Sequence, residues 1–138
     1  MRLYETPNGW RVLVTHDVFE PRGEAVREFF RSIGADPLYV RMCFNQNCFR
    51  ARVTPKPWRI GMGEKLRPRP GIWPIRLERM NDRKAWVREY DENRTDYAAC
   101  RYVTTLGSTH GISRCEDADF VRRLHDQWCQ VDQAKPIA

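Results

Sequence analysis

Arg50 and Arg52 stand one residue apart in the segment 48–54, where apolar and polar side chains alternate. That alternation predicts a strand with Phe49, Ala51 and Val53 on one face and Arg50, Arg52 and Thr54 on the other. On a strand the two guanidinium groups project from the same face, about 7 Å apart. A guanidinium fork grips phosphate through two parallel hydrogen bonds, and flat rings stack on bases. Trp58 and Trp73 lie close by in sequence, and Lys56, Arg59, Arg67 and Arg69 add positive charge. Arg11 and Thr15 are expected to join this face from a neighbouring hairpin. The competing arrangement pairs Arg50 and Arg52 with acids on a downstream helix: Glu89, Asp91, Glu92 and Asp96.

The residues able to do acid–base or metal chemistry are fewer. The histidines are His16, His110 and His125. Asp17 and Asp126 each follow a histidine directly, but adjacent residues on a strand or helix do not face each other. Asp17, His110 and Asp126 are candidates for an acid–base or metal site only if strand and helix ends gather them. Cys129 lies one helical turn after His125, so the two share a face and could meet as a nucleophile and its base. The alternative is a buried cysteine packed beside a histidine. The five cysteines include no C-x-x-C; Cys43 and Cys48 are separated by four residues. Zinc sites ordinarily show two tight ligand pairs, so neither a metal ligand set nor a cofactor is expected, and the thiols are expected to be reduced. Gly107-x-x-x-Gly111 precedes a helix and suits an anion, but it lacks the Gly-Lys-Ser/Thr of a P-loop.

The charge is concentrated. The chain of 138 residues carries a net +6. Residues 41–83 hold nine Arg and two Lys against three acids, a local +8, and the remainder carries −2. A basic stretch of this kind attracts polyanions by Coulomb interaction and counterion release. A preference for Arg codons over Lys codons produces a similar composition without that demand. The length fits one domain, no apolar run approaches the ~18 residues of a membrane span, and no apolar signal region opens the chain. A cytoplasmic protein is expected.

Several elements must position these groups. Residues 2–6 and 10–16 form a predicted hairpin about the turn signal Pro7-Asn8-Gly9, with Arg11, Leu13 and Thr15 on one face. A helix is predicted from Glu24 to Ile33, with Gly34 ending it. Asp36-Pro37 starts a second helix, Asp as cap and Pro at the first position. Five of the nine prolines fall between Pro55 and Pro74, which predicts a Pro/Arg-rich loop over about 55–76. A longer helix is expected from about Asn81 to Tyr97, a strand over 100–106, and a last helix from a Ser113/Glu116 capping box to about Gln130. Phe120, Val121, Leu124 and Trp128 are its expected buried face. The order predicts an α+β fold: a single domain (1–138) with one antiparallel sheet of about four strands and helices on one face, ferredoxin-like or RNA-recognition-like.

Phe49-Arg-Ala-Arg-Val-Thr-Pro-Lys-Pro-Trp-Arg59, preceded by Asp36-Pro-Leu-Tyr-Val-Arg41, resembles the signature of a family of small bacterial and phage proteins of unassigned activity. Thr6-x-x-Gly9-Trp-Arg-Val12 and Ala99-Cys100-Arg101 fit the same pattern. A second resemblance, carried by the Gly9-Trp-Arg-Val12 strand, Asp36-Pro-x-Tyr39 and the basic segment, is to the RNA-recognition-like palm of archaeo-eukaryotic primase-like proteins. Ser108-Thr-His110 is similar to their nucleotide-assisting Ser-x-His. Their paired metal-binding acids are reduced here to Asp17 alone.

The resulting expectation is a protein that binds nucleic acid, single-stranded DNA or RNA, through Arg50, Arg52, Lys56, Trp58, Arg59, Arg67 and Arg69. Two alternatives stand beside it. One is a metal-dependent enzyme of primase-like ancestry acting on nucleotides or nucleic acid. The other is a phage or mobile-element interaction module that meets a protein partner through the 55–76 loop.

Overall fold

A computed structural model describes residues 1–63, 76–107 and 115–138. The fold is α+β. Strands β1 (Arg2–Thr6), β2 (Gly9–Leu13) and β3 (Arg101–Thr105) form one antiparallel sheet in the order β2-β1-β3. The helices are α1 (Glu24–Ser32), α2 (Pro37–Gln46), α3 (Met80–Asn93) and α4 (Glu116–Cys129).

The hairpin turns at Pro7-Asn8, where Thr6 pairs with Gly9. Gly9 sits at φ 144, a backbone region closed to most side chains. Tyr4 is fully buried and lies opposite Arg11 on β2 and Tyr102 on β3. Its ring meets the His125 ring of α4 at 4.6 Å between centroids, so α4 covers this face of the sheet. The opposite face carries Glu5, Trp10 and Arg101 and stays open; Trp10 is 66% exposed.

Both helix-start and helix-stop signals of the α1–α2 pair act as the residue types dictate. Asp36 accepts the Leu38 amide at 2.8 Å, capping α2. Gly34, at φ 61, closes α1 with the paired hydrogen bonds of a Schellman motif: Ala35 N–H to Phe30 O and Gly34 N–H to Arg31 O. The two helices bury Val26, Phe30 and Cys43 against each other, with Tyr39, Val40 and Phe44 around them. Burial, then a hydrogen bond with Cys43, pushes the Tyr39 hydroxyl up to about 12. The main core is Tyr4, Ala99, Cys100, Cys129 and Val131. A third cluster packs Ile60, Met62 and Ala138 beside Trp86 and Tyr90. The C-terminal tail is held there by Ala98, which exchanges hydrogen bonds with Pro136 and Ala138.

Several expectations are corrected. Among the described residues the sheet has three strands, and residues 48–54 are irregular and pair with none. The segment joins neither β2 nor β3, the two edge strands, and instead bridges two cores. Phe49 meets the Phe30 ring at 6.4 Å and Val53 packs on the main core. β2 ends at Leu13, so Thr15 lies beyond the sheet. Arg11 faces inward with Tyr4 and Leu13 rather than out. On α4 the buried residues are Ala118, His125 and Cys129, whereas Phe120, Val121 and Trp128 are each more than half exposed. That inward face is polar because Tyr4, Arg2 and Arg11 of the sheet satisfy its groups. The α4 N-cap is Cys115, without a side-chain cap bond; Ser113 lies outside the described residues.

Candidate functional site

Two places in the molecule gather chemistry. The first is the basic segment after α2. Arg50 and Arg52 are exposed, and neither side chain has an acid partner among the described residues. The alternative pairing with the 89–96 helix is not formed; Asp91 instead binds Arg94 at 2.7 Å. Pro57–Arg59 makes a single 3-10 turn, as Pro at its first position favours. Trp58 stands 64% exposed on it, and the Lys56 ammonium lies 5.4 Å from its ring centre, within cation–π range. Arg59 is spent differently. Its Nη2 donates to Asn8 Oδ1 at 2.6 Å, and its Nε is buried without a partner. This bond ties the 3-10 turn to the hairpin tip, so two exposed tryptophans, Trp10 and Trp58, each lie within two residues of one contact. Lys65, Arg67, Arg69 and Trp73 fall outside the described residues.

The second place was not foreseen as a whole. Cys100, His125 and Cys129, all buried, bring their donor atoms within 4.8 Å of one another. Cys100 precedes β3; His125 and Cys129 are one turn apart on the inner face of α4. The Cys100 Sγ–His125 Nε2 distance is 3.9 Å. Arg11 reaches in from β2, with Nη1 at 2.9 Å from His125 Nε2 and 3.6 Å from each sulfur. His125 Nδ1 faces Asp126 Oδ1 at 3.1 Å. Asp126 is the hub of the outer layer. It accepts from the Tyr4 hydroxyl at 2.7 Å, from Arg2 at 3.2 Å and from Arg122 at 3.1 Å.

The electrostatics follow from these contacts. Burial pushes the Asp126 carboxyl up, but hydrogen bonds from Tyr4 and His125 and the Arg2 charge outweigh it and hold the group ionised below its ordinary range. Burial and that same carboxylate push the Tyr4 hydroxyl up. The Cys129 thiol is lowered, first by the hydrogen bond from Cys100, then, against the opposing burial, by His125 and Arg11. Cys100 moves the opposite way because it supplies that proton and is itself buried.

Of the acid–base candidates, Asp126 enters this cluster as the carboxylate behind His125. Asp17 is exposed, accepts its neighbour Val18's amide at 2.8 Å and joins no ligand cluster among the described residues. His110, with Ser108, lies outside the described residues. Cys43 is buried between α1 and α2, and neither it nor Cys48 belongs to the cluster. The His125/Cys129 spacing signalled half of the centre. Arg11 was expected on the open face with Arg50 and Arg52; the one signal for its inward place was the strand face that it shares with Leu13, which packs against the core. Nothing in the spacing pointed to Cys100. No helix among the described residues is long and apolar enough to cross a membrane. No protein-family model, no curated protein and no solved structure matches this chain.

Proposed function

We propose that the protein binds single-stranded nucleic acid through the segment 50–59 and the basic residues that follow it. One observation carries the reading: Arg50 and Arg52 are exposed and free of acid partners among the described residues, and Trp58, six residues after Arg52, faces solvent. Unpaired guanidinium groups are available to phosphate, and an exposed indole offers a stacking surface that tolerates any base. Lys56 belongs to the same patch through its contact with Trp58. Arg67 and Arg69 extend the charge along the chain. Arg59 positions the turn through Asn8 rather than reaching for phosphate. The open sheet face carrying Trp10 and Arg101 adds a second flat surface, in keeping with an RNA-recognition-like use of the sheet. The expected setting is cytoplasmic.

Fluorescence anisotropy with a labelled oligonucleotide tests the proposal. Binding at low salt is expected, and Arg50→Ala/Arg52→Ala should weaken it by at least an order of magnitude while circular dichroism stays unchanged. Two solvent-exposed charges lost at about 1 kcal/mol each give that size. Absence of binding at low salt, or equal binding by the folded double variant, would sink the proposal.

A further inference from the structure

We infer that Cys100, His125 and Cys129 form a binding site for a soft divalent cation, best matched by zinc, whose place Arg11 fills until the ion displaces it. The inference is independent of nucleic-acid binding.

Four features of the cluster support it. The donor set is two thiols and one imidazole, the ligand types that zinc prefers over harder cations. The spacing of the donors is close: tetrahedral zinc with Zn–S of about 2.3 Å and Zn–N of about 2.05 Å has an S–N edge of about 3.6 Å, against 3.9 Å between Cys100 Sγ and His125 Nε2, so the ion needs the pair to close by a few tenths of an ångström. His125 is oriented as a ligand. Its Nδ1 donates to Asp126, which leaves the Nε2 lone pair aimed at the two sulfurs. Asp126 is fixed in turn by Tyr4, Arg2 and Arg122. This layer of partners behind the histidine is what a metal centre requires and a merely packed histidine does not.

The fourth feature is the occupant. Arg11 Nη1 lies within 3.6 Å of all three donors. A cationic N–H therefore stands where three lone-pair-bearing atoms converge, as a metal ion would. Arg11 is only half-buried and belongs to β2, an edge strand, so its long side chain has a route to solvent. Metal entry and guanidinium exit then keep positive charge beside the sulfurs throughout. Arg11 vacates the ion's own place, and three protein donors leave the fourth coordination position to water or an added ligand.

Titration of the reduced chain with cobalt(II), followed by zinc(II), tests this. The wild-type protein should take up one equivalent of cobalt with thiolate-to-metal charge-transfer absorption, which zinc abolishes. Cys100→Ser and Cys129→Ser should each lose the band, and Cys43→Ser/Cys48→Ser should keep it. Arg11→Met should bind cobalt roughly tenfold more tightly, since a competing occupant lowers apparent affinity by the fraction of sites it fills. Circular dichroism accompanies every variant. Where a serine variant fails to fold, Arg11→Met decides: affinity equal to or below wild type overturns the inference. So does the absence of a thiolate band in both wild type and Arg11→Met, or a band that survives Cys129→Ser in folded protein. A Cys100–Cys129 disulfide formed under mild oxidant by a chain that takes up no cobalt when reduced overturns it too, in favour of a redox pair.

Discussion

Asp126 concentrates more polar contacts than any neighbouring side chain of the buried cluster, and its worth follows from what it holds in place. Its carboxylate receives Tyr4, His125, Arg2 and Arg122, with only 11% of its side chain exposed. Asp126→Asn keeps the shape and removes the charge, leaving Arg2 short of a counter-ion in a mostly dry site and Arg122 with Asp119 alone. Breaking a fully buried pair costs about 3–5 kcal/mol. Here both arginines keep some water contact, at 20% and 23% exposure, so the expected loss is about 2 kcal/mol. Tyr4→Phe removes the hydroxyl's bonds to Asp126 and from Arg2 but leaves the Arg2–Asp126 ion pair, so it strands no charge and should lose about 1 kcal/mol. Urea denaturation of both variants checks the order. Equal losses would show that the hydroxyl bond, and not the carboxylate charge, dominates the hub. The sequence placed Asp126 next to a histidine and one turn before Gln130, but nothing in it shows that Tyr4 lies against Asp126. That contact closes 122 residues apart in sequence and depends on the hairpin packing onto α4.

At the level of elements, local chemistry proved informative and pairing did not. Asp36 caps α2 and Gly34 ends α1 as their residue types predict, because caps are decided within a few residues. Gly34→Ala gives this a number. The position has φ 61, and a Cβ there meets nothing within 4 Å, so the penalty is backbone strain alone. It should lower stability by about 1 kcal/mol, and Gly34→Asn by less, since Asn tolerates the left-handed region; denaturant midpoints measure both. An unchanged midpoint in Gly34→Ala would mean that α1 can end in another way. The alternation in 48–54 shows the opposite case. It reported facing at Val53, Arg50 and Arg52, but Phe49 is 45% exposed despite its contact with Phe30, Ala51 is exposed, and the segment is not a strand. Side-chain periodicity bears on which side is buried, whereas a strand also needs its backbone aligned along a partner's edge, which periodicity does not report. α4 misled for a related reason. Its apolar residues Phe120, Val121 and Trp128 point outward, and the helix is buried through polar residues whose partners come from β1 and β2.

For the whole molecule, the decisive quantity is where the charge lies rather than its total. A net +6 would draw any polyanion weakly, but the local +8 over residues 41–83 concentrates that attraction on one stretch of chain. Binding to single strands releases about 0.7 counterions per neutralised phosphate, and log K falls with log salt by that slope. If Arg50, Arg52, Lys56, Arg67 and Arg69 each neutralise one phosphate, the slope is about −3.5. Arg59 is left out of the sum because Asn8 holds it. Arg50→Ala/Arg52→Ala should then reduce the slope by about 1.4. Arg27→Ala/Arg31→Ala on α1 removes the same charge outside the basic stretch, from residues already facing Glu24. It should leave the slope unchanged. Anisotropy titrations across a salt series separate the two double variants. Equal effects from both would mean that net charge alone draws the polyanion, and the located surface at Arg50, Arg52 and Trp58 would lose its claim to be the binding site.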